Sequence, residues 1–331
     1  VEKTIQTAQG NIRRLDTGKD LSEAADLIQM CFQPYLDEDG YMYLDQIRRA
    51  ARNPWLVRWT RVAGEMVSYP LNGYIWEEDG KIVGNLSLIP FIWQQKWIYL
   101  IANVAVHPDY RQQGIAGKLT ERALLHLRSH SIDTVWLHVR QDNQIARHLY
   151  ERLDFKAQCT RDTWLNKTDP SDLPIQPDVV VTRRLKKDWD RQLIWLNETY
   201  PPEVAWNLGF DQKRFAPGWF ASLNLLFKGQ RMAHWSASLN HHLLGVASWE
   251  PSFQIADTLW LALEPGSEVE SIPALLRQVR SKIPRKRPLV VNFPAERARD
   301  AFRSAGFELL NTLVWMQIHL DISKNAGHLT L

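Results

Sequence analysis

The sequence predicts an α/β protein built as two tandem copies of one unit, each a mixed central sheet flanked by helices. Three observations lead there. Apolar residues alternate with period two in some segments and recur at helical intervals in others, the mixture expected of helices layered on a sheet. A polar stretch, "NKTDPSDLPIQPD" (166–178), carries three prolines and no periodicity, and reads as a linker. The segments before and after it follow the same order. The expected domains are therefore 1–165 and 179–331, joined by 166–178.

The first half opens with a strand over 11–15 and a helix that places Leu21, Ala24, Ala25, Ile28 and Met30 at helical intervals. A variable region follows. "YIWEEDGKIVGNLSLIPF" (74–91) then gives two strands about an Asp-Gly turn, a strong hairpin signal. Strand "WIYLIANVAV" (97–106) leads into "VHPDYRQQGIAGKL" (106–119) and a helix to about Arg128. Strand "TVWLHV" (134–139), helix "NQIARHLYERL" (143–153) and "DFKAQCTRDTWL" (154–165) complete the half.

The second half repeats this order. "VVVTRRL" (179–185) precedes a helix over 188–199, and "MAHWSASLNHHLLGVASWEP" (232–251) makes a hairpin. "DTLWLALEP" (257–265) leads to a helix ending near 280, and "RPLVVNF" (287–293) to a helix over 295–305. "GFELLNTLVWMQIHL" (306–320) closes the chain's regular structure.

Composition narrows the function classes. A chain of 331 residues supports two domains with cores of ordinary size. A net charge of +3 argues against a nucleic-acid reader, and the basic run 281–288 reads as a solvated loop. No stretch has the length and apolarity of a membrane span. The opening "VEKTIQTAQGNIRR" lacks a signal-peptide core, so a cytoplasmic setting is expected. Cys31 and Cys159 make neither a disulfide framework nor a metal site, and no metal is expected. The 15 tryptophans fit scattered core packing.

The segment Arg111-Gln112-Gln113-Gly114-Ile115-Ala116, with Gly117 entering a helix, has the form of an anion site. Successive backbone N–H groups point outward there, the helix dipole favours negative charge, and glycine admits a close ligand. A lone Gly-rich turn says little. Here the turn follows an apolar strand and opens a helix whose Ile115, Leu119, Ala123 and Leu127 share one face.

At these residues the chain resembles the GNAT superfamily of acyl-CoA-dependent N-acetyltransferases. "RQQGIA" (111–116) satisfies the family's R/Q-x-x-G-x-G/A motif. The second family motif, N-x-x-A-x-x-L-Y-E-x-x-G-F, reads as Asn143, Ala146, Leu149, Tyr150, Glu151 and Phe155, with Asp154 in place of the glycine. The resemblance implies that loop 111–117 holds the coenzyme pyrophosphate. It also implies that Val104, Ala105 and Val106 pair with the pantetheine arm as an added strand. A backbone N–H there would hold the thioester oxygen.

Asn143 either contacts the coenzyme or serves as a plain helix N-cap. Tyr150 is the family-position acid for the departing thiolate, or else one member of an apolar stripe with Ile145, Ala146, Leu149 and Leu153. His138 either acts as general base, its imidazole titrating near neutrality, or is packed beside Trp136, with a water chain as the alternative base.

The second half is an internal control. "LALEP" (261–265) falls on "VAVHP" (104–108), and Gly306-Phe307 falls on Asp154-Phe155. Between them no R/Q-x-x-G-x-G/A survives, and Glu268 and Glu270 occupy the region of the pyrophosphate, where carboxylates repel a polyanion. Phe302 stands for Tyr150 and Ala295 for Asn143. The second copy is therefore expected to bind no coenzyme.

The implied function is direct attack of a primary amine on the thioester of acetyl-CoA in the first half. The acceptor is an amine-bearing small molecule or peptide, met by segment 34–73, and the protein is a monomer or homodimer. The alternative is a non-catalytic acyl-CoA-binding or scaffold protein.

Overall fold

The computed structural model describes residues 10–52, 72–167, 176–217, 232–252, 255–283 and 287–321. They form two compact units. Unit 1 holds the described residues of 1–139, 143–157 and 315–331, and unit 2 those of 140–142 and 158–314. The division departs from the expected boundaries at the last strand of each half. Strand β6 (Lys156–Asn166) belongs to unit 2 from Gln158 onward, where it pairs antiparallel with a neighbour from Asn166↔Leu289 to Arg161↔Pro294. Conversely, the end of β12 (Phe307–His319) belongs to unit 1 from Trp315 onward, and the Leu320 amide donates to the Asp133 carbonyl at 2.7 Å. Strand pairing is non-local, so the sequence order of the halves could not reveal this exchange.

In unit 1, β1 (Asn11–Arg14), β2 (Gly73–Glu78), β3 (Lys81–Trp93) and β4 (Lys96–Val106) run antiparallel, and β5 (Thr134–Arg140) runs parallel to β4. The end of β12 follows β5 in the sheet order. The β2–β3 turn is made by Asp79 and Gly80 at φ 50 and 73, left-handed residues whose twist suits a hairpin. Helices α1 (Leu21–Phe32) and α2 (Glu38–Arg52) cover one face, packing Leu21, Ala25, Ile28, Leu44 and Ile47 on Ile75 and Ala105. Met30, expected in this core, is 49% exposed, because it lies two residues past Ile28 and so points away. Leu27 is buried in its stead. Helix α2 falls within 34–73, and residues 53–71 of that segment lie outside the described residues.

Helix α3 (Ile115–Ser129) covers the opposite face with the expected Ile115, Leu119, Ala123 and Leu127, all buried. Gly84 on β3 makes this packing close: a Cβ there would lie 2.8 Å from Ile115 Cγ2 and 3.0 Å from Trp76 Cβ. Helix α4 (Gln144–Arg152) follows β5, and Gly117 of α3 approaches its Leu149 closely.

In unit 2 the sheet order is β12-β6-β11-β10-β9-β8-β7, with β7 (Val179–Arg183), β8 (Ala233–Leu239), β9 (His242–Glu250), β10 (Asp257–Leu263) and β11 (Leu289–Pro294). Helices α5 (Trp189–Thr199) and α6 (Pro202–Leu208) follow β7. Trp195 and Leu196 of α5 pack with Val246, Trp260 and Ala262. On the other core, Leu275, Leu276 and Val279 of α7 (Glu268–Lys282) meet Trp235, Leu259, Val291 and Phe293. The helix expected over 295–305 shrinks to α8 (Arg299–Ser304), because Glu296 and Ala298 before it are left-handed at φ 65 and 62. Asn166, expected in the linker, is instead the last residue of β6, and its Nδ2 donates to the Gly306 carbonyl at 2.8 Å. Residues 168–175 of the expected linker lie outside the described residues.

Candidate active site

The site in unit 1 begins where β4 and β5 part. Their parallel register covers Tyr99↔Val135, Leu100↔Trp136 and Ile101↔Leu137, and nothing beyond. Past Ile101, β4 carries on through Val104, Ala105 and Val106 with β3 on one side and no paired strand on the other. An open strand edge presents unpaired N–H and C=O groups to any extended ligand.

The loop at the end of this edge is shaped by two left-handed residues, Gln112 at φ 64 and Gly114 at φ 79. Gly114 is the N-cap of α3, without a side-chain cap and with no acidic residue in the first turn. Among the described residues, none of the amides of Gln112, Gln113, Gly114, Ile115, Ala116 and Gly117 donates to a protein acceptor. Orphan amides at a helix N-terminus attract anions. The loop also carries two cations. Arg111 Nε donates to the Val106 carbonyl at 3.2 Å, and Lys118 stands over Trp76 at 5.1 Å. Where the loop begins, His107 Nδ1 accepts the Asp109 amide at 3.3 Å, so His107 serves as a turn cap.

Asn143 is the N-cap of α4, its Oδ1 accepting the Ala146 amide at 3.1 Å. The capping role is therefore present, and it uses only the carboxamide oxygen, leaving Nδ2 with no hydrogen-bond partner among the described residues. The apolar stripe that was the alternative setting for Tyr150 is broken at Ile145, 84% exposed; Ala146, Leu149 and Leu153 are half-buried, and Tyr150 is the helix's buried residue at 6%. Ile145, His148, Leu149, Glu151 and Arg152 line an open groove of about 660 Å³. Tyr150 sits edge-on to Phe155, and desolvation pushes its phenol above its ordinary value. It stays protonated at neutral pH, as a proton donor must. Asp154 adopts φ 66, and its counterpart Gly306 adopts φ 71, so the aspartate preserves the left-handed turn of the glycine it replaces.

His138, the first residue of β5 beyond the paired stretch, stacks on Trp315 with ring centroids 4.0 Å apart. Its edge retains some solvent contact, but desolvation among close neighbours lowers its pKa to about 3. The imidazole is neutral and weakly basic, which counts against the general-base role the sequence offered. The packed alternative describes its surroundings.

Unit 2 parts its sheet in the same place and then fills the opening. The parallel register of β10 and β11 covers only Asp257↔Leu289 and Thr258↔Val290. Beyond it, the Leu261 amide donates to the Tyr200 hydroxyl at 3.2 Å. Tyr200, 2% exposed, follows α5 directly, with the Arg161 guanidinium over its ring at 5.6 Å. Arg161 is fixed in turn by the Thr199 carbonyl and Asn292 Oδ1, both at 2.7 Å. At the loop, the Gly266 amide donates to Glu268 Oε2 at 2.8 Å, and Arg297 pairs with the other carboxylate oxygen at 2.8 Å. Sequence reading found Glu268 by its charge. It missed Tyr200, whose position after a helix carries no motif.

Unit 1 thus has a mixed α/β fold whose sheet parts beside a loop of acceptor-free amides, with a buried tyrosine on the next helix. The chain belongs to the acetyltransferase (GNAT) family, whose profile matches residues 25–155. Acetyltransferase SG1711 of Sodalis glossinidius is 30% identical over 141 residues, covering 42% of this chain and 82% of that protein. The [ribosomal protein bS18]-alanine N-acetyltransferase of Escherichia coli K12 is 39% identical over 67 residues, covering 20% of this chain. That match spans 45% of the E. coli enzyme, so the chain matches under half the length of this relative. Among solved structures, a tandem GNAT protein from the clavulanic acid biosynthesis pathway shares the fold at TM-score 0.50 and 16% identity. The match covers 94% of this chain and 98% of that one.

No helix among the described residues is long and apolar enough to cross a membrane.

Proposed function

We propose that the chain transfers an acetyl group from acetyl-CoA to a primary amine, and that unit 1 alone holds the coenzyme. The observation that carries this reading is the row of acceptor-free amides from Gln112 to Gly117 beside the open edge of β4. Bound there, acetyl-CoA supplies an activated acyl thioester. Loop 111–117 binds its pyrophosphate, with Arg111 adding positive charge. Val104, Ala105 and Val106 orient the pantetheine arm through backbone bonds, and a β4 amide stabilises charge on the thioester oxygen. Tyr150 donates its proton to the departing sulfur. Asn143 contributes its free Nδ2 at the mouth of α4.

Water, not His138, takes the proton from the attacking amine, since an imidazole of pKa about 3 is a poor base at neutral pH. The acceptor is an amine on a small molecule or a peptide. The E. coli relative, named for an alanine of a ribosomal protein, favours including peptide N-termini in any screen. Unit 2 is a degenerate copy that binds no coenzyme: the Tyr200 hydroxyl takes the Leu261 amide, and Glu268 takes the Gly266 amide and sets a carboxylate where a polyanion would lie. Two free thiols, Cys31 and Cys159, accord with a cytoplasmic setting.

The test is coenzyme A release across a panel of amines and short peptides, comparing the parent with Tyr150→Phe. Turnover by the parent and its collapse in the variant support the reading. Equal turnover removes Tyr150 from the mechanism, and acetyl-CoA binding without turnover in any arm favours a non-catalytic binder.

A further inference from the structure

The two units differ by one residue of strand register, at the place where the thioester would lie. In unit 2, β10 pairs with β9 without a break from Thr258↔Glu250 to Leu263↔Gly245. In unit 1, Ala105 faces Asn85 and Ala102 faces Ser87, so Asn103 and Val104 together stand opposite Leu86. This is a β-bulge, and its first residue, Asn103, has φ 51. That left-handed place in a bulge usually belongs to glycine. Asparagine tolerates it better than other residues with a side chain, but the conformation still needs support.

The support is a network of side chains. Asn103 Nδ2 donates to the Tyr43 hydroxyl at 3.0 Å and to Ser87 Oγ at 3.2 Å. The Asn103 carbonyl accepts Asn85 Nδ2 at 2.9 Å. Asn85 and Ser87 are buried, at 0% and 2% exposure, on the β3 face that α1 and α2 cover. Asn85 Oδ1 has no hydrogen-bond partner, so this fully buried carboxamide is held with part of its bonding capacity unmet. Burying such a group costs free energy, which a purely structural position would avoid with an apolar side chain. Unit 2 has done so: Val246, opposite Ala262, stands where Asn85 stands opposite Ala105, and the bulge is gone.

A bulge turns the strand and re-aims the groups that follow it. Here the next residue is Val104, at the open edge. We propose that Tyr43, Asn85, Ser87 and Asn103 form a positioning network that holds the β4 bulge, aiming the Val104 amide at the thioester oxygen of the acyl donor. The proposal rests on the coenzyme reading above. Tyr43 ties the network to α2, Ser87 and Asn85 tie it to β3, and Asn103 carries the strand conformation itself. The four act through the strand, as positioning residues.

The experiment reads the carbonyl directly and needs no acceptor. Acetyl-CoA labelled with carbon-13 at the thioester carbonyl is bound to the parent, to Tyr43→Phe and to Asn103→Gly, and its stretching band is recorded by difference infrared spectroscopy. Asn103→Gly permits the left-handed backbone but removes the side-chain bonds. Tyr43→Phe removes one hydroxyl and leaves the α2 packing. The parent should shift the band to lower frequency, and both variants should lose most of that shift while binding free coenzyme A, which has no thioester carbonyl, as tightly as the parent. A parent-like shift in the variants overturns the network. If Asn103→Gly fails to fold, Tyr43→Phe decides alone. Failure of the parent to bind acetyl-CoA overturns instead the coenzyme reading on which the network depends.

Discussion

The Tyr200 hydroxyl accepts the Leu261 amide at 3.2 Å, and Leu261 holds in unit 2 the place that Val104 holds in unit 1. The same backbone group is thus capped by a side chain in one copy and left at an open edge in the other. Glu268 repeats the pattern at the loop, its carboxylate standing on the Gly266 amide, whereas in unit 1 no protein acceptor meets the amides of Gln112 to Gly117.

Calorimetry of acetyl-CoA binding should therefore give one equivalent per chain. Gly114→Glu should abolish it, because the new residue must adopt φ 79, at a cost of roughly 1–2 kcal/mol, and it brings a carboxylate to an anion site. Glu268→Ala should leave the binding heat unchanged. It should lower the stability of unit 2 by roughly 1–3 kcal/mol, since it strips partners from the Gly266 amide and Arg297. Two equivalents in the parent would show that unit 2 also takes the coenzyme.

Tyr150→Phe should reduce turnover by a factor on the order of 10²–10⁴ with little change in acetyl-CoA affinity, the signature of a lost proton donor. Because burial raises the Tyr150 pKa, the parent's rate should show no downward limb from this group near neutral pH. Steady-state kinetics over a pH series, paired with calorimetry, separates the two effects.

Acid should weaken the fold before the carboxylates titrate. His138 and His234 fall from 6.5 to about 3 on folding, both chiefly through desolvation. The unfolded chain binds these protons and the folded chain does not, so stability is full above about 6.5 and declines as pH drops from there toward 3. Urea denaturation at stepped pH should show this slope, and His234→Phe should flatten part of it. A level profile across that window would mean that both imidazoles accept protons in the folded state.

Gly84→Val should damage the site from beneath it. Its side chain would collide with Ile115 Cγ2 at 2.8 Å and Leu119 Cδ1 at 3.1 Å, pushing α3 off the sheet. The expected loss is about 1–3 kcal/mol of stability. Acetyl-CoA affinity should fall as well, because the same helix carries the loop amides. Unchanged affinity in a folded variant would separate loop position from α3 packing.

Local punctuation made the loop and its helix legible in the sequence. Gly114 and the Ile115, Leu119, Ala123, Leu127 spacing are read within a few residues, and the structure reproduces them. The β2–β3 hairpin was legible for the same reason, through Asp79-Gly80. The β4 bulge was not, because Asn103 is left-handed by virtue of Tyr43 and Ser87, which lie far away in the chain. Tyr200 was hidden likewise: its role depends on a strand edge contributed by a later element. For His138, alternation along β5 gave the strand but not the Trp315 ring stacked on it, which comes from a distant strand.

The exchange of last strands has a consequence for how the chain can be divided. Trp315–His319 complete the sheet of unit 1 and Gln158–Asn166 that of unit 2, so a cut at the linker leaves each fragment lacking a native strand and carrying one that belongs elsewhere. Such fragments would be complementary parts, prone to pair with one another or with their own kind.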